Sequence, residues 1–488
     1  MIEERKEILE KYQLVVGLEI HAQLSTLSKA YSGDKNEFGS LPNSNTSPTT
    51  LAHPGTLPRI NEKVIESAIS LGLATNCSIT REMHFARKNY FYADLPKGYQ
   101  ITQDTTPICT AGKVVVKDAD HADKTIRITR IHIEEDAGKS IHDQDPFHTL
   151  VDLNRAGVPL VEIVSEPDIR STEEAYNFLA EIRRLVRYLE ICDGNMEEGS
   201  MRCDANVSVM LKGADTYGKR CEVKNMNSLR NVQRAIDFEM KRQIKIIEAG
   251  GEIYQETRSF DAVNGTTFSL RDKEDAHDYR YFPEPDLQPI TVEQKEIDRI
   301  KAAMPPLPKE LFRKYTAELK LSEYDANNII ESKPIALYFE QLVTHTANYK
   351  AAANWMMGEV KSYLNHHAVD ITSFPLKPEK IGELIKMIDA DLISSSSAAQ
   401  QLFPKMIENP DKNPMEIAEA ENLLQQSDDT WLLDLAQQAL DKYPDKVEAY
   451  KNGNKGLLGL FMGEVMKLSG RKANPKMSTE ILKKLLDQ

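Results

Sequence analysis

Two acidic stretches carry most of the chemistry this chain could do. Residues 130–140 read RIHIEEDAGKS and residues 151–171 read VDLNRAGVPLVEIVSEPDIRS. In the first, Ile131 and Ile133 alternate with His132 and Glu134, the period-two mark of a half-buried strand. On that reading His132, Glu134 and Asp136 share one face. In the second, Leu160, Glu162, Val164 and Glu166 fall on one face, and Val161, Ile163 and Ser165 on the other. A buried carboxylate is costly unless it is paired, protonated or bound to a cation. Acids at this density in apolar strands therefore point to a bound divalent metal, a bound ammonium, or both. The plain alternative is a solvated sheet edge studded with acids. A third stretch, LVVGLEIHAQLS at 14–25, sets Val16, Leu18, Ile20, Ala22 and Leu24 on one face and Glu19, His21 and Gln23 on the other. A Glu and a His two apart on a strand point the same way, as metal ligands do. An isolated E-x-H is more often a hydrogen-bonded pair.

The neighbouring sequence supplies elements to position these groups. Asn61 is placed to cap a helix reaching Ala74, and Thr172 to cap one reaching about Leu189, with Ala175, Phe178, Leu179, Ile182, Leu185 and Val186 in its apolar stripe. Residues 113–117 and 125–133 read as paired strands. Their alternation slips between Ile128 and Ile131, which predicts a β-bulge just before the acids. Ala205, Val207, Val209 and Leu211 alternate with Arg202, Asp204, Asn206 and Ser208, giving another strand with a polar face. A helix follows, ending at Gly250-Gly251, and then a hairpin about Asn264-Gly265. Residues 85–103, FARKNYFYADLPKGYQITQ, interleave five aromatics with three cations. Such a segment either stacks nucleotides or RNA or packs on a core. Beyond Pro285 a proline-rich linker leads into a region that reads as helices throughout. Near the C-terminus Lys455, Lys467, Arg471, Lys472 and Lys476 gather, either as a phosphate-binding patch or as a solvated helical face.

Composition narrows the class. The chain has 488 residues, 41% hydrophobic and 28% charged, as expected of a globular protein of several domains. No apolar run is long enough to span a bilayer, and the N-terminal residues resemble no leader, so a cytoplasmic location is expected. Five scattered cysteines without C-x-x-C spacing argue against a disulfide framework and a structural zinc site. A formal net charge of −14 means that nucleic acid must be met by a local basic patch. There is no Walker A loop, no dinucleotide glycine motif and no G-x-S-x-G elbow. The expected fold is α+β: a mostly antiparallel-sheet domain with a carboxylate-rich cleft, then all-α domains ending in a basic patch. Two function classes fit, a magnesium-dependent enzyme acting on an RNA-borne substrate and a non-catalytic RNA-binding or assembly component.

The blocks VGLEIHAQL, ARKNYFYADLPKGYQITQ, RIHIEEDAGKS, LVDLNRAGVPLVEIVSEPDIRS, GNMEEGSMRCDANVSV, EVKNMNSLRNVQRAIDFE and DYRYFPEPDL follow one another in the chain. Together they resemble the B subunits of the glutamine-dependent aspartyl/glutamyl-tRNA amidotransferases, over the entire length. The resemblance implies a cradle domain at 1–290 with the ATP and magnesium site, a helical domain at 291–408, and a tail domain at 409–488 that meets tRNA. It implies a carbon–nitrogen ligase of three different chains. Its A subunit is an amidase releasing ammonia from glutamine, and its small C subunit joins the two large chains. The B subunit would use ATP and Mg²⁺ to phosphorylate the side-chain carboxylate of misacylated Glu-tRNA(Gln) or Asp-tRNA(Asn). Ammonia arriving through a tunnel would then displace the phosphate. By the same resemblance Glu19, His21 and Glu134 are the leading metal ligands, followed by Asp136, Asp152 and Glu162. Lys88 and Glu134 stand at the tunnel mouth. Arg155, Arg202, Asp204, Asn206 and Lys224 are assigned to ATP phosphates and the acceptor end, and Lys467, Arg471, Lys472 and Lys476 to tRNA. Many relatives carry two cysteine pairs in the early loop as a zinc knuckle. The matching stretches here, KAYSGDKNEFG and SNTSPTTLAHPG, contain no cysteine, so zinc is not expected.

Overall fold

The computed structural model describes residues 10–272, 279–425, 429–470 and 472–487. The chain forms two compact units, Met1–Pro308 and Lys309–Gln488. The strands, all in the first unit, are β1 (Tyr12–Gln23), β2 (Ser78–Ile79), β3 (Glu82–Met83), β4 (Ala86–Asn89), β5 (Tyr99–Thr102), β6 (Cys109–Lys117), β7 (Asp123–Glu135) and β8 (Lys139–Ile141). They continue with β9 (Leu150–Asp152), β10 (Pro159–Ser165), β11 (Met201–Leu211), β12 (Cys221–Lys224), β13 (Glu256–Asp261), β14 (Thr266–Asp272), β15 (Arg280–Pro283) and β16 (Ile290–Thr291). Helices among the described residues accompany them: α1 (Glu62–Ala74), α2 (Thr172–Tyr188), α3 (Leu229–Glu248) and α4 (Gln294–Ala303).

Nine strands form the main sheet in the order β14-β13-β12-β11-β1-β10-β7-β6-β2. Its pairings are antiparallel except β12 with β13. The long strand β1 lies near the centre, paired with β11 along nearly its whole length and with β10 along its second half. Val16, Leu18, Ile20 and Ala22 of β1 are fully buried, in one core with Ile131 and Ile133 of β7, Val161 and Ile163 of β10, and Ala205 and Val207 of β11. Helices cover that face. Phe178, Leu179 and Ile182 of α2 and Val232 and Ile236 of α3 are sunk into it, each worth about 1.5–3 kcal/mol of apolar burial. Ile297 and Ile300 of α4 belong to the same core. The opposite face of the sheet is polar, and the small sheet β15-β4-β5 closes over one end of it. That cover is why β10 is buried on both faces instead of alternating.

Local details follow the sequence. Asn61 caps α1 by accepting from the Lys63 amide at 2.9 Å. The cap of α2 is Ser171, not Thr172: the serine hydroxyl accepts from the Glu174 amide at 3.0 Å, while Thr172 is already helical. The bulge occurs where the alternation slips, because Arg130 pairs with Val164 and Ile128 with Ser165, leaving Thr129 over. This extra residue lets Ile128 and Ile131, three apart, both face the core. The early loop is tied at Asp34, whose Oδ2 accepts from the Ser47 amide (2.9 Å), the Ser47 hydroxyl (2.8 Å), Ser32 (3.2 Å) and Thr50. All five cysteines are free thiols.

The named elements of the second unit's described residues are all helices. A C-terminal core gathers Leu432, Leu435, Leu440, Phe461, Val465, Leu482 and Leu486. Among the described residues, no helix is long and apolar enough to cross a membrane.

Candidate active site

Cross-strand register decides which acids meet. His21 of β1 stands opposite Glu162 of β10, and Glu162 opposite His132 of β7. The three, with Glu134 two residues further along β7, form one buried cluster. The Nε2 atoms of His21 and His132 each lie 3.3 Å from Glu162 Oε2, and His132 Nε2 lies 3.2 Å from Glu134 Oε1. Lys88 of β4 brings its ammonium to 3.6 Å from Glu134 Oε1. Thr102 and Gln100 of β5 donate to Glu134 at 2.9 and 3.3 Å.

Glu19 goes elsewhere. Its partner on β10 is the apolar Val164, and its partner on β11 is Asp204. It therefore joins a second acidic group with Asp204 and with Glu222 of β12. In each group, His21/Glu134/Glu162 and Glu19/Asp204/Glu222, one ligand atom per residue lies within 4.8 Å of the others. Asn206 donates to Glu19 Oε1 at 2.8 Å, and the Lys224 ammonium sits between Asp204 and Glu222, 2.8 Å from the latter.

The electrostatics differ between the groups. Burial opposes ionisation of Glu162, but hydrogen bonds from His132 and His21 hold it well below the usual carboxylate range. Burial likewise opposes ionisation of Glu134, which His132 and the Lys88 ammonium keep low. Burial alone would keep His132 neutral; Glu134 and Glu162 instead push its pKa up to about 9. Its Nδ1 has no hydrogen-bond partner among the described residues. In the second group, burial raises the Glu19 carboxyl, and the charges of Glu162 and Glu222 raise it further. Lys224 is held protonated against burial by Asp204 and Glu222.

A cavity of about 480 Å³ opens beside both groups, lined by His21, Lys88, Glu134, Asp136, Arg155, Arg202, Asp204 and Lys224 among others. Most of the residues singled out in the sequence thus converge. Glu162 lies beneath this wall, and Asn206 and Glu19 face a smaller adjoining cavity. The trio Glu19, His21 and Glu134 does not close on a single point, because adjacent same-face residues of β1 have different neighbours across the ladder. Asp136 sits just past the end of β7, where both its carboxylate oxygens accept from Arg202 Nη2 at 3.0 Å and one accepts from Gln23 at 2.6 Å. Asp152 braces a loop by accepting from the Asn43 and Asn154 amides at 3.0 Å, and belongs to neither acidic group. Arg155 donates to the carbonyls of Ala137 (3.0 Å) and Gly138 (2.7 Å).

Glu222 and His132 are members of the site that the sequence reading does not select, although each has a signal. His132 shares the face of Glu134. Glu222 is two residues before Lys224 on the short strand β12, so alternation alone pairs the two. In the second unit Lys467 and Lys476 are exposed, and Lys472 is half-buried, donating to Asn422 at 3.3 Å. Arg471 lies outside the described residues.

Residues 14–298 match the family described as the GatB/GatE catalytic domain, and residues 337–486 match the GatB domain. The chain is 50% identical over 476 residues to a protein of Chlorobium phaeobacteroides named as the B subunit of aspartyl/glutamyl-tRNA(Asn/Gln) amidotransferase, covering 98% of this chain and 99% of the relative. The chain belongs to this family. Relatives of the same name share 50% identity in Pelodictyon phaeoclathratiforme and 46% in Persephonella marina, each with 98% of this chain and all of the relative covered. Both acidic groups and both cavities lie within the segment matching the GatB/GatE catalytic domain. Lys467, Lys472 and Lys476 lie within the GatB-domain segment.

Proposed function

We propose that this chain activates the side-chain carboxylate of a misacylated tRNA for amidation, as the B subunit of a three-chain aspartyl/glutamyl-tRNA amidotransferase. The observation that carries this reading is the pair of acidic groups whose His21, Glu134 and Asp204 line one cavity with Arg155, Arg202 and Lys224. The residues fit a divalent cation: Glu19, Asp204 and Glu222 offer oxygens alone, which suits Mg²⁺, and His21, Glu134 and Glu162 offer a mixed set. When bound, Mg²⁺ would offset the charge of the ATP phosphates during transfer.

A free carboxylate resists ammonia because neither oxygen can leave. Transfer of the γ-phosphoryl group of ATP to one carboxylate oxygen gives an acyl phosphate and ADP. Ammonia then attacks the carbonyl carbon, phosphate departs with that oxygen, and the amide remains. Arg155, Arg202 and Lys224 supply positive charge along the cavity wall for the phosphates. The Lys88–Glu134 pair, 3.6 Å apart, is our candidate for taking the proton that must leave ammonium before its nitrogen can attack. Thr102 and Gln100 orient the Glu134 carboxylate for that task. Ammonia is supplied by the amidase chain of the complex, with the small third chain completing the assembly in the cytoplasm.

The test is reconstitution with the amidase chain and the small third chain on Glu-tRNA(Gln) and Asp-tRNA(Asn). Glu134→Gln is expected to lower ATP-dependent amide formation by about a hundredfold or more while basal glutamine hydrolysis persists. Amidation at the wild-type rate would place the chemistry elsewhere. The isolated chain should release no ammonia from glutamine, and release would indicate a self-contained amidotransferase.

A further inference from the structure

Residues 85–103 interleave aromatics with cations, and the fold leaves several aromatic rings of this region at the surface. They belong to the small sheet β15-β4-β5, which closes over one end of the polar face. Residues paired directly across antiparallel strands point to the same side of a sheet. Tyr281 of β15 pairs with Lys88 of β4, and Lys88 with Gln100 of β5. These three therefore share the side that meets Glu134, from which Lys88 lies 3.6 Å and Gln100 3.3 Å. Tyr90 and Tyr279, one residue outside the paired segments, join that side: the Lys88 ammonium lies 4.9 Å from the Tyr279 ring centre, and the Tyr90 ring packs on Tyr279.

The tyrosines form a strip. Ring centres are 5.7 Å apart for Tyr92 and Tyr90, 5.7 Å for Tyr90 and Tyr279, and 6.5 Å for Tyr279 and Tyr281, each contact edge to face. Tyr90 lines the large cavity. Its hydroxyl donates to Gln100 Oε1 at 3.2 Å, and the Gln100 amide donates to Glu134, so this end of the strip is tied to the acidic cluster. The remaining rings open to solvent. Tyr92, Tyr279 and Tyr281 are 58%, 41% and 43% exposed, and Phe91 in the connection after β4 is 90% exposed. Rings serving the core would be covered, as Tyr31 and Phe85 are.

Exposed rings continuous with a reaction cavity make a stacking surface. Every nucleic-acid base has a π-face, so aromatic side chains hold single-stranded nucleotides with little regard to sequence. A carboxylate carried on the last nucleotide of two different tRNAs calls for such tolerance, because what the two share next to that carboxylate is an unpaired 3′ end. The cavity, about 480 Å³, is the size of a pocket for one small-molecule ligand. Nucleotides preceding the aminoacylated one must then lie outside its mouth, where the strip runs. Tyrosine is common in protein contacts as well; continuity with the cavity through Tyr90 and the ammonium beside Tyr279 favour RNA.

We propose that the strip from Tyr92 through Tyr90 and Tyr279 to Tyr281 is a stacking surface for the unpaired 3′-terminal nucleotides of the tRNA. Their bases lie on Tyr279 and Tyr281, and the aminoacyl group enters the cavity past Tyr90. This assignment rests on the tRNA-amidation reading above. It gives the small sheet a substrate-binding role separate from the acidic groups of the main sheet.

The experiment measures equilibrium binding of uncharged tRNA(Gln), intact or trimmed of its unpaired 3′ end, to the three-chain complex. Trimming should weaken binding to wild type about tenfold or more. The double variant Tyr279→Leu, Tyr281→Leu keeps apolar bulk and removes the ring faces. It should weaken intact tRNA about tenfold and trimmed tRNA hardly at all. The loss should be alike at low and high salt, because stacking neutralises no phosphate. The double variant Tyr279→Phe, Tyr281→Phe should bind intact tRNA as wild type does. In amidation the leucine variant should raise KM for misacylated tRNA and leave KM for ATP unchanged. Equal weakening of both tRNAs, or of neither, in the leucine variant would overturn the proposal. Failure of phenylalanine to restore binding would overturn it in favour of hydroxyl contacts. Loss of the amidase or small chain from the leucine variant on gel filtration would overturn it in favour of a protein contact. A wild-type complex that binds intact and trimmed tRNA equally would refute the strip alone. One that binds neither would refute the tRNA reading itself.

Discussion

Among the described residues of the first unit, buried Arg258 and His132 face carboxylates at 2.6 and 3.2 Å, whereas buried Lys29 bonds to backbone carbonyls. Its side chain is fully buried, and its ammonium donates to two backbone carbonyls, Asn45 at 2.7 Å and Leu153 at 3.4 Å. Burial lowers its pKa from 10.5 to about 8, against the pull of Asp34, Glu135 and Asp152. A lowered folded-state pKa means that below pH 8 both folded and unfolded chains hold the proton, and the fold bears the cost of the buried charge. Between about pH 8 and 10.5 the unfolded chain binds more protons, so stability rises with pH. Wild type should therefore gain up to about 3 kcal/mol relative to Lys29→Met over that window. Parallel melting curves across roughly pH 7 to 11 check this, and a pH-independent difference would show that Lys29 titrates normally. The His21/His132/Glu134/Glu162 cluster shows the reverse arrangement. There each imidazole or ammonium has a carboxylate against it, and charge is held in place by partners instead of being expelled by burial.

At the scale of elements, the polar face is positioned by how tightly the helices hold the other face. Gly72 of α1 packs on β6 with no spare room: a methyl there would lie 2.3 Å from Cys109 Sγ and 2.9 Å from Ile79 Cδ1. Alanine improves helix propensity by about 1 kcal/mol over glycine, but overpacking a core costs about 1–3 kcal/mol. The second effect should win, so Gly72→Ala is expected to destabilise the chain by about 1–2 kcal/mol in urea titrations. Adding Cys109→Ala removes the clashing sulfur and should restore most of the loss, a coupling that independent sites would not show. Equal effects of Gly72→Ala with and without Cys109→Ala would mean that the helix shifts to accommodate the methyl. The bulge at Thr129 is a second positioning device. It returns β7 to its alternation in time for His132 and Glu134 to face the site while Ile131 and Ile133 face the core.

For the whole molecule, a chain of net charge −14 has to meet an anionic partner through a local patch. Lys467, Lys472 and Lys476 are the described candidates. Truncation near Pro444 would be a poor probe, because Leu432, Leu435 and Leu440 share a core with Phe461, Val465 and Leu482 beyond the cut. Replacing the three lysines by alanine leaves that core intact. The expected outcome is a higher KM for tRNA, a salt dependence shallower by about one unit of log–log slope per lost phosphate contact, and an unchanged kcat at saturating tRNA. Unaltered tRNA affinity and slope would identify the patch as a solvated helical face.

Local pattern determined a large part of this protein. The alternation of β1, β7 and β11, the Asn61 cap, the bulge before the acids and the hairpin at Asn264-Gly265 are all written in neighbouring residues, because backbone periodicity and turn chemistry are short-range. So was the fact that Glu19 and His21 share a face, and the antiparallel α+β character of the first unit. Their grouping was not. His21 belongs with Glu162, and Glu19 with Asp204 and Glu222, because β10 and β11 flank β1 in a particular register. Pairing between strands more than a hundred residues apart depends on the packing of the entire sheet and leaves no trace in either strand alone. The same holds for Asp152, an acid in an acidic stretch that the folded chain uses to brace a loop. It holds also for Gly17, whose missing side chain becomes a cavity only when Asn206, Tyr217 and Arg220 are brought around it.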